Sequence, residues 1–168
     1  MTHPTWQLPL NDKGAELVLT PCPGTKGTDL TASLQQLKAQ GVKAVVTALS
    51  EEEMAKAGVA ELSQQVQALG MLWFHCPIED DQAPDSGFNI DWLKASPELH
   101  QLLDDNQSVA LHCMGGSGRT GLLAAHLLLE RGWDLDTIKS RVQALRPGAF
   151  TKASQIEYID GVAADSVY

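Results

Sequence analysis

Residues 112–120 read His-Cys-Met-Gly-Gly-Ser-Gly-Arg-Thr, and the chemistry these types offer at this spacing is nucleophilic attack beside a bound oxyanion. The stretch lies between a β-type run ending at His112 and a strongly apolar run after Thr120. A strand-to-helix turn there directs the backbone N–H groups of Met114, Gly115, Gly116, Ser117, Gly118 and Arg119 into one concavity, and the glycines permit the tight path and close approach. The following helix adds its positive N-terminal end to the same spot. Arg119 can clamp two oxygens of a tetrahedral phosphate with its planar fork, which lysine does not reproduce. At the foot of the cradle, Cys113 feels the same amides and dipole, and such settings lower thiol pKa values into a range of roughly 3.5–7.5. Thr120 can donate its hydroxyl to the sulfur when it leaves an intermediate. His112 points to the other face of its strand, so it is expected to order the strand end rather than act as a base.

Other glycine-loop readings fail on their own requirements. Gly116, Gly118 and Gly121 satisfy G-x-G-x-x-G, but a dinucleotide fold needs a second strand ending in an acidic residue about 20 positions on. Here the apolar helix is followed by another helical pattern beginning at "WDLDTI". A phosphate loop of the Walker type needs a lysine where Arg119 stands, and a serine nucleophile elbow needs a glycine there. A cysteine that ends a strand is usually a small packed residue. That reading accounts for neither the arginine, nor the glycines, nor the hydroxyl that follows.

The elements that must position this loop alternate in type. "WQLPL" and "AELVLT" read as short strands joined by the turn "NDKG", and "PCPGTKG" breaks the chain before a helix carrying Leu30, Leu34 and Leu37. "VKAVVTALS" and "MLWFHCPI" are apolar runs of buried-strand type, separated by a helical repeat of Val59, Leu62, Val66 and Leu69. The acidic stretch "EDDQAPDSGFN" reads as a loop, followed by a helix for which Ser96 and Pro97 suit the N-cap and first turn. "SVALH" is a third buried strand, and "GLLAAHLLLERG" is apolar nearly all round, as a helix running through the core should be. A further helix carries Leu135, Ile138, Val142 and Leu145, from about Asp134 to "RPG", and a last one covers 152–162. Strands alternating with helices predict an α/β fold, with a central, mostly parallel sheet of about five strands flanked by helices on both faces.

With 168 residues, 43% hydrophobic and 20% charged, the chain reads as one globular domain, 1–168. The formal net charge of −9 argues against nucleic acid or an anionic membrane as partner, since both need an extended basic surface. Any anion must be held locally. Cys22, Cys76 and Cys113 cannot all pair and show no zinc or C-x-x-C spacing, and no run approaches the ~18 apolar residues of a membrane span. These features, with no signal-peptide pattern, predict a cytoplasmic protein.

The pattern His-Cys, five residues, Arg119, Thr120 resembles the signature of the cysteine-dependent protein phosphatases, and the short chain resembles their dual-specificity branch. "PLND" to "PGTK", "HCPIEDDQAPD" and "LLLERG" extend the similarity to the kinase-associated phosphatase group. The resemblance implies that family's fold, a phosphocysteine intermediate, and an aspartate that protonates the leaving oxygen and then deprotonates water, with no metal or other cofactor. The residues themselves offer Glu79, Asp80, Asp81 and Asp85 for that role, on a loop at the same sheet edge. Matching "PIED" to the family pattern places the acid at Asp80, with Asp81 and Asp85 in reserve, although the Trp-Pro-Asp of classical members is absent. Gln155 falls where relatives carry a glutamine near the hydrolytic water, or is a surface polar residue. Arg146 closes a helix or braces the phosphate loop. Cys76 is a packed strand cysteine, or a disulfide partner for oxidised Cys113. The implied partner is a phosphorylated protein, carrying phosphotyrosine and, by extension, phosphoserine or phosphothreonine; the absence of lysine between Cys113 and Arg119 weighs against multiply phosphorylated inositides. The alternatives are a non-protein phosphomonoester (phosphoinositide, nucleotide or RNA 5′ end) and a catalytically silent phosphate-binding module. Sulfur transfer or arsenate reduction would want a different loop length or a placed resolving cysteine.

Overall fold

The computed structural model describes residues 2–80 and 82–165. Its sheet has five strands among the described residues, β1 (Trp6–Pro9), β2 (Glu16–Thr20), β3 (Val42–Thr47), β4 (Leu72–His75) and β5 (Ser108–His112), in the spatial order β1-β2-β5-β3-β4. Only the β1–β2 hairpin is antiparallel; β2, β5, β3 and β4 run parallel. Successive strand side chains point to opposite faces, yet all five residues of β5 are buried. The central strand is therefore covered on both sides, as a parallel sheet requires.

Seven helices among the described residues supply that cover: α1 (Leu30–Ala39), α2 (Glu51–Lys56), α3 (Leu62–Ala68), α4 (Ser86–Asp104), α5 (Gly118–Glu130), α6 (Leu135–Leu145) and α7 (Ala153–Asp165). Helix α5 is buried almost along its whole length, from Arg119 to Leu129, and packs on β5 and β2. Its all-round apolar sequence is the cause. No helix among the described residues is long and apolar enough to cross a membrane.

Two expectations need correction. The "EDDQAPDSGFN" stretch is a loop only as far as Asp85, whose side chain accepts the Phe88 N–H at 2.9 Å and caps α4 eleven residues before Ser96. The cap decides the start, because it satisfies an N–H that a helix end leaves bare. Pro97 consequently lies inside α4, on its exposed side, where water can take the carbonyl that loses a partner. Helix α2 lies outside the pattern expected from the sequence: Ser50 ends no strand but forms a capping box with Glu53, each accepting from the other's backbone N–H. Asp81 lies outside the described residues.

Inserting β5 between β2 and β3 fixes the site. The segments leaving β2 and β3 part on either side of the C-terminal end of β5, where an open α/β sheet forms its crevice. Both are stitched to it: the Cys22 N–H donates to the Met114 carbonyl and the Ala48 N–H to the His112 carbonyl, each at 3.0 Å.

Candidate active site

Cys113 follows the last residue of β5 and is 4% exposed. Its Sγ accepts the Gly116 N–H at 3.3 Å and the Thr120 hydroxyl at 3.1 Å. The loop can bring Gly116 so close because its φ is +80°, and a Cβ there would lie 2.7 Å from the Pro21 nitrogen and the Thr20 carbonyl carbon. No other residue type fits that position without moving β2. At Gly118 a Cβ would come within 2.9 Å of Gln155 Nε2.

Ser117 takes the N-cap position of α5, but its side chain makes no capping hydrogen bond. The first-turn N–H groups of the helix are thus left for an anion. The Ser117 hydroxyl instead accepts from Arg146 Nε at 3.1 Å, and the same guanidinium donates to the Gly116 carbonyl at 3.1 Å and the Gly115 carbonyl at 2.8 Å. Carbonyls pinned outward leave the opposite amide edges for the concave side. Arg146 is the brace expected from the sequence, and it sits 3.9 Å over the Trp6 ring.

Arg119 is 3% exposed. Its Nη1 donates to both Glu53 oxygens, at 2.9 and 3.0 Å, and to the Ile78 carbonyl at 3.0 Å. Burial opposes its charge, but the Glu53 carboxylate, with Cys113 and Asp80, outweighs this and raises its pKa. Glu53 answers in kind: burial pushes its carboxyl up, and hydrogen bonds from Arg119 and Ser50 bring it below the usual range. Arg119 Nη2 lies 3.7 Å from Asp80 Oδ1, and Asp80 itself is 70% exposed. The arginine is therefore held from behind by one carboxylate and reaches a second at the cavity mouth.

Asp80, Cys113, Met114, Gly115, Ser117, Gly118 and Arg119 line one cavity of about 210 Å³. Gly116 supports it from beneath, through its bond to the sulfur. Asp85 does not share this cavity; its carboxylate is committed to capping α4. Gln155 does share it, 2% exposed, with an Oε1 that has no hydrogen-bond partner among the described residues. Cys76 is buried and its thiol is pushed up to about 12 by burial. The cysteine beside the loop is Cys22, whose thiol burial and the nearby Cys113 push up to about 12. Sequence reading missed Glu53 and Lys152, the latter on the cavity wall. The Ser50-x-x-Glu53 capping box was the available signal for Glu53; nothing local marks Lys152.

Comparison with known proteins adds the following. The model of a family described as "Polymorphic toxin system, DSP-PTPase phosphatase" matches residues 23–133. Cyclin-dependent kinase inhibitor 3 of Rattus norvegicus is 34% identical over 162 residues, which cover 90% of this chain and 74% of that protein. A solved structure of kinase associated phosphatase, with its catalytic-site cysteine replaced by serine, superposes with a TM-score of 0.85 at 24% identity, covering 99% of this chain and 97% of the other. PTPMT1 in complex with PI(5)P superposes with a TM-score of 0.71 at 16% identity, covering 89% and 91%.

Proposed function

This chain belongs to the DSP-PTPase family, the cysteine-dependent tyrosine and dual-specificity phosphatases, and from that premise we propose that it hydrolyses phosphotyrosine, and phosphoserine or phosphothreonine, on a protein. The observation that carries this reading is Cys113 Sγ at the floor of an open cavity, bonded by the Gly116 N–H and the Thr120 hydroxyl beside a buried guanidinium. The two donors hold the sulfur at the cavity floor, where a bound phosphoryl group can be attacked.

In the first step the Cys113 thiolate attacks phosphorus as the bond to the ester oxygen breaks, and Asp80 gives its proton to that oxygen. Arg119 Nη1 is occupied by Glu53, so the rest of the fork faces the phosphoryl oxygens. With the amides of Met114, Gly115, Ser117, Gly118 and Arg119, it stabilises the developing charge, while the Gly116 N–H holds the sulfur. In the second step the Asp80 carboxylate takes a proton from water, which attacks the phosphocysteine. The sulfur–phosphorus bond breaks, Thr120 hydrogen-bonds the departing thiolate, and inorganic phosphate leaves.

Residues 1–168 act as a single phosphatase domain in this reading, supported by one sheet and one core among the described residues, running from Leu8 to Ile159. A cytoplasmic setting is supported by three free, buried cysteines. The net charge of −9 supports a protein partner over nucleic acid or an anionic membrane. Lys152 on the cavity wall favours the second reading, a phosphoinositide head group. Steady-state rates with phosphotyrosyl and phosphothreonyl peptides, set against phosphatidylinositol 5-phosphate vesicles, separate the two. Higher kcat/KM on the peptides is expected; higher kcat/KM on the vesicles would replace the protein substrate with the lipid.

A further inference from the structure

Beneath the cysteine, three strands are linked by polar side chains that the reaction scheme leaves unused. The Trp73 indole nitrogen on β4 lies 2.8 Å from Thr47 Oγ1 on β3. Thr47 Oγ1 lies 2.7 Å from His112 Nε2 on β5, and His112 Nδ1 lies 3.2 Å from the Cys113 carbonyl oxygen. The register explains the meeting. Thr47 pairs directly with His112, while Trp73 pairs with Val45 and stands on the same face as Thr47, one diagonal step away.

The direction of every hydrogen bond in this chain follows from donor chemistry. An indole N–H only donates, so Thr47 Oγ1 accepts from Trp73. Burial pushes the His112 pKa down to about 4, and Arg119, His3 and His75 add to that despite the carbonyl contact, so the ring is neutral at pH 7 with one N–H. A carbonyl only accepts, so that proton is on Nδ1. Nε2 then presents a lone pair, and the Thr47 hydroxyl donates to it.

We propose that Thr47 and Trp73 are positioning residues for the phosphoryl transfer assigned above, acting by fixing His112 as its Nδ1–H tautomer and thereby the orientation of the Cys113–Met114 peptide. The inference rests on that reading of Cys113. A trans peptide carries its C=O and N–H on opposite sides. Tying the Cys113 carbonyl to the imidazole therefore holds the Met114 N–H away from it, as the first donor of the phosphate cradle. The polarity runs from an edge strand to the reacting residue, with each donor spent on one acceptor.

The test combines long-range 1H–15N spectra of the imidazoles with p-nitrophenyl phosphate kinetics and vanadate inhibition, on the full chain and on Thr47→Val, Thr47→Ser and Trp73→Phe. The parent is expected to show His112 protonated on Nδ1 at pH 7. Thr47→Val keeps the side-chain shape but removes the donor, and is expected to mix the tautomers, lower kcat ~10-fold and weaken vanadate inhibition by a similar factor. Thr47→Ser should restore all three readouts. Trp73→Phe leaves the hydroxyl free to turn and should lower kcat by roughly 2–3-fold; it decides the matter if Thr47→Val fails to fold. A parent imidazole protonated on Nε2 would overturn the inference. So would parent-like kcat and vanadate inhibition in folded Thr47→Val, or in Trp73→Phe when that variant decides. A parent with no turnover of p-nitrophenyl phosphate would instead sink the phosphatase reading itself.

Discussion

The loop at 113–119 and the loop at 79–85 meet at one cavity but are built in opposite ways. The first has Cys113, Gly116 and Arg119 buried and is braced from outside itself: Arg146 pins three of its oxygen acceptors, Gly116 lies against β2, and Glu53 locks Arg119. The second presents Asp80 as a mostly solvated carboxylate, with Arg119 Nη2 at 3.7 Å. A cradle for an anion has to be preorganised, because its donors act before the reaction without rearrangement. A proton donor has to meet water in the second step, and exposure serves that need.

The sharpest way to test this division is to compare losses on its two sides. Cys113→Ser should abolish p-nitrophenyl phosphate turnover, whereas Asp80→Asn should retain a residue of it, lower by at least ~10²-fold. Equal and total loss in both would mean that the acid loop belongs to the rigid part of the site. Arg119→Lys keeps the charge but loses the fork, and should lower kcat/KM by roughly 10²–10³-fold. A parent-like value there would show that a point charge suffices and that the geometry behind Arg119 is incidental.

Acid should reach the buried side through its histidines. His112 and His126 are neutral in the fold, each pushed down to about 4 by burial from the ordinary 6.5. The unfolded chain then binds more protons between those values, so stability is full above pH ~6.5 and falls as pH drops toward 4, by about 3 kcal/mol per histidine. Denaturant unfolding at pH 7 and pH 4.5 reads this. A midpoint unchanged between them would show imidazoles that titrate as if in water. The smallest effect belongs to the exposed loop: Asp85→Ala should cost about 1 kcal/mol through loss of the α4 cap, with turnover unchanged. A fall in kcat without a fall in stability would transfer an acid role from Asp80 to Asp85.

The same division governs how much the sequence could tell. The cradle was legible because its parts stand at fixed offsets along one segment: a strand, Cys113, glycines, Arg119 and a helix. The α/β sheet and the place of α5 were legible from apolar runs. The start of α4 was not, because Ser96-Pro97 and Asp85 both carry capping chemistry, and only packing shows that Asp85 is the one used. Glu53 and Thr47 reach the site from β3 and the segment after it, 66 and 65 positions from their partners. Such contacts are set by strand order, and a single chain read in one direction does not reveal which strand lies beside β5.

The central claim is that Cys113 forms a covalent bond to phosphorus. Asp80→Asn, mixed with p-nitrophenyl phosphate and quenched in acid during turnover, should yield one phosphoryl group on the peptide containing Cys113 by mass spectrometry. Turnover that continues with that peptide unmodified, or with the phosphoryl group on another residue, would contradict the account.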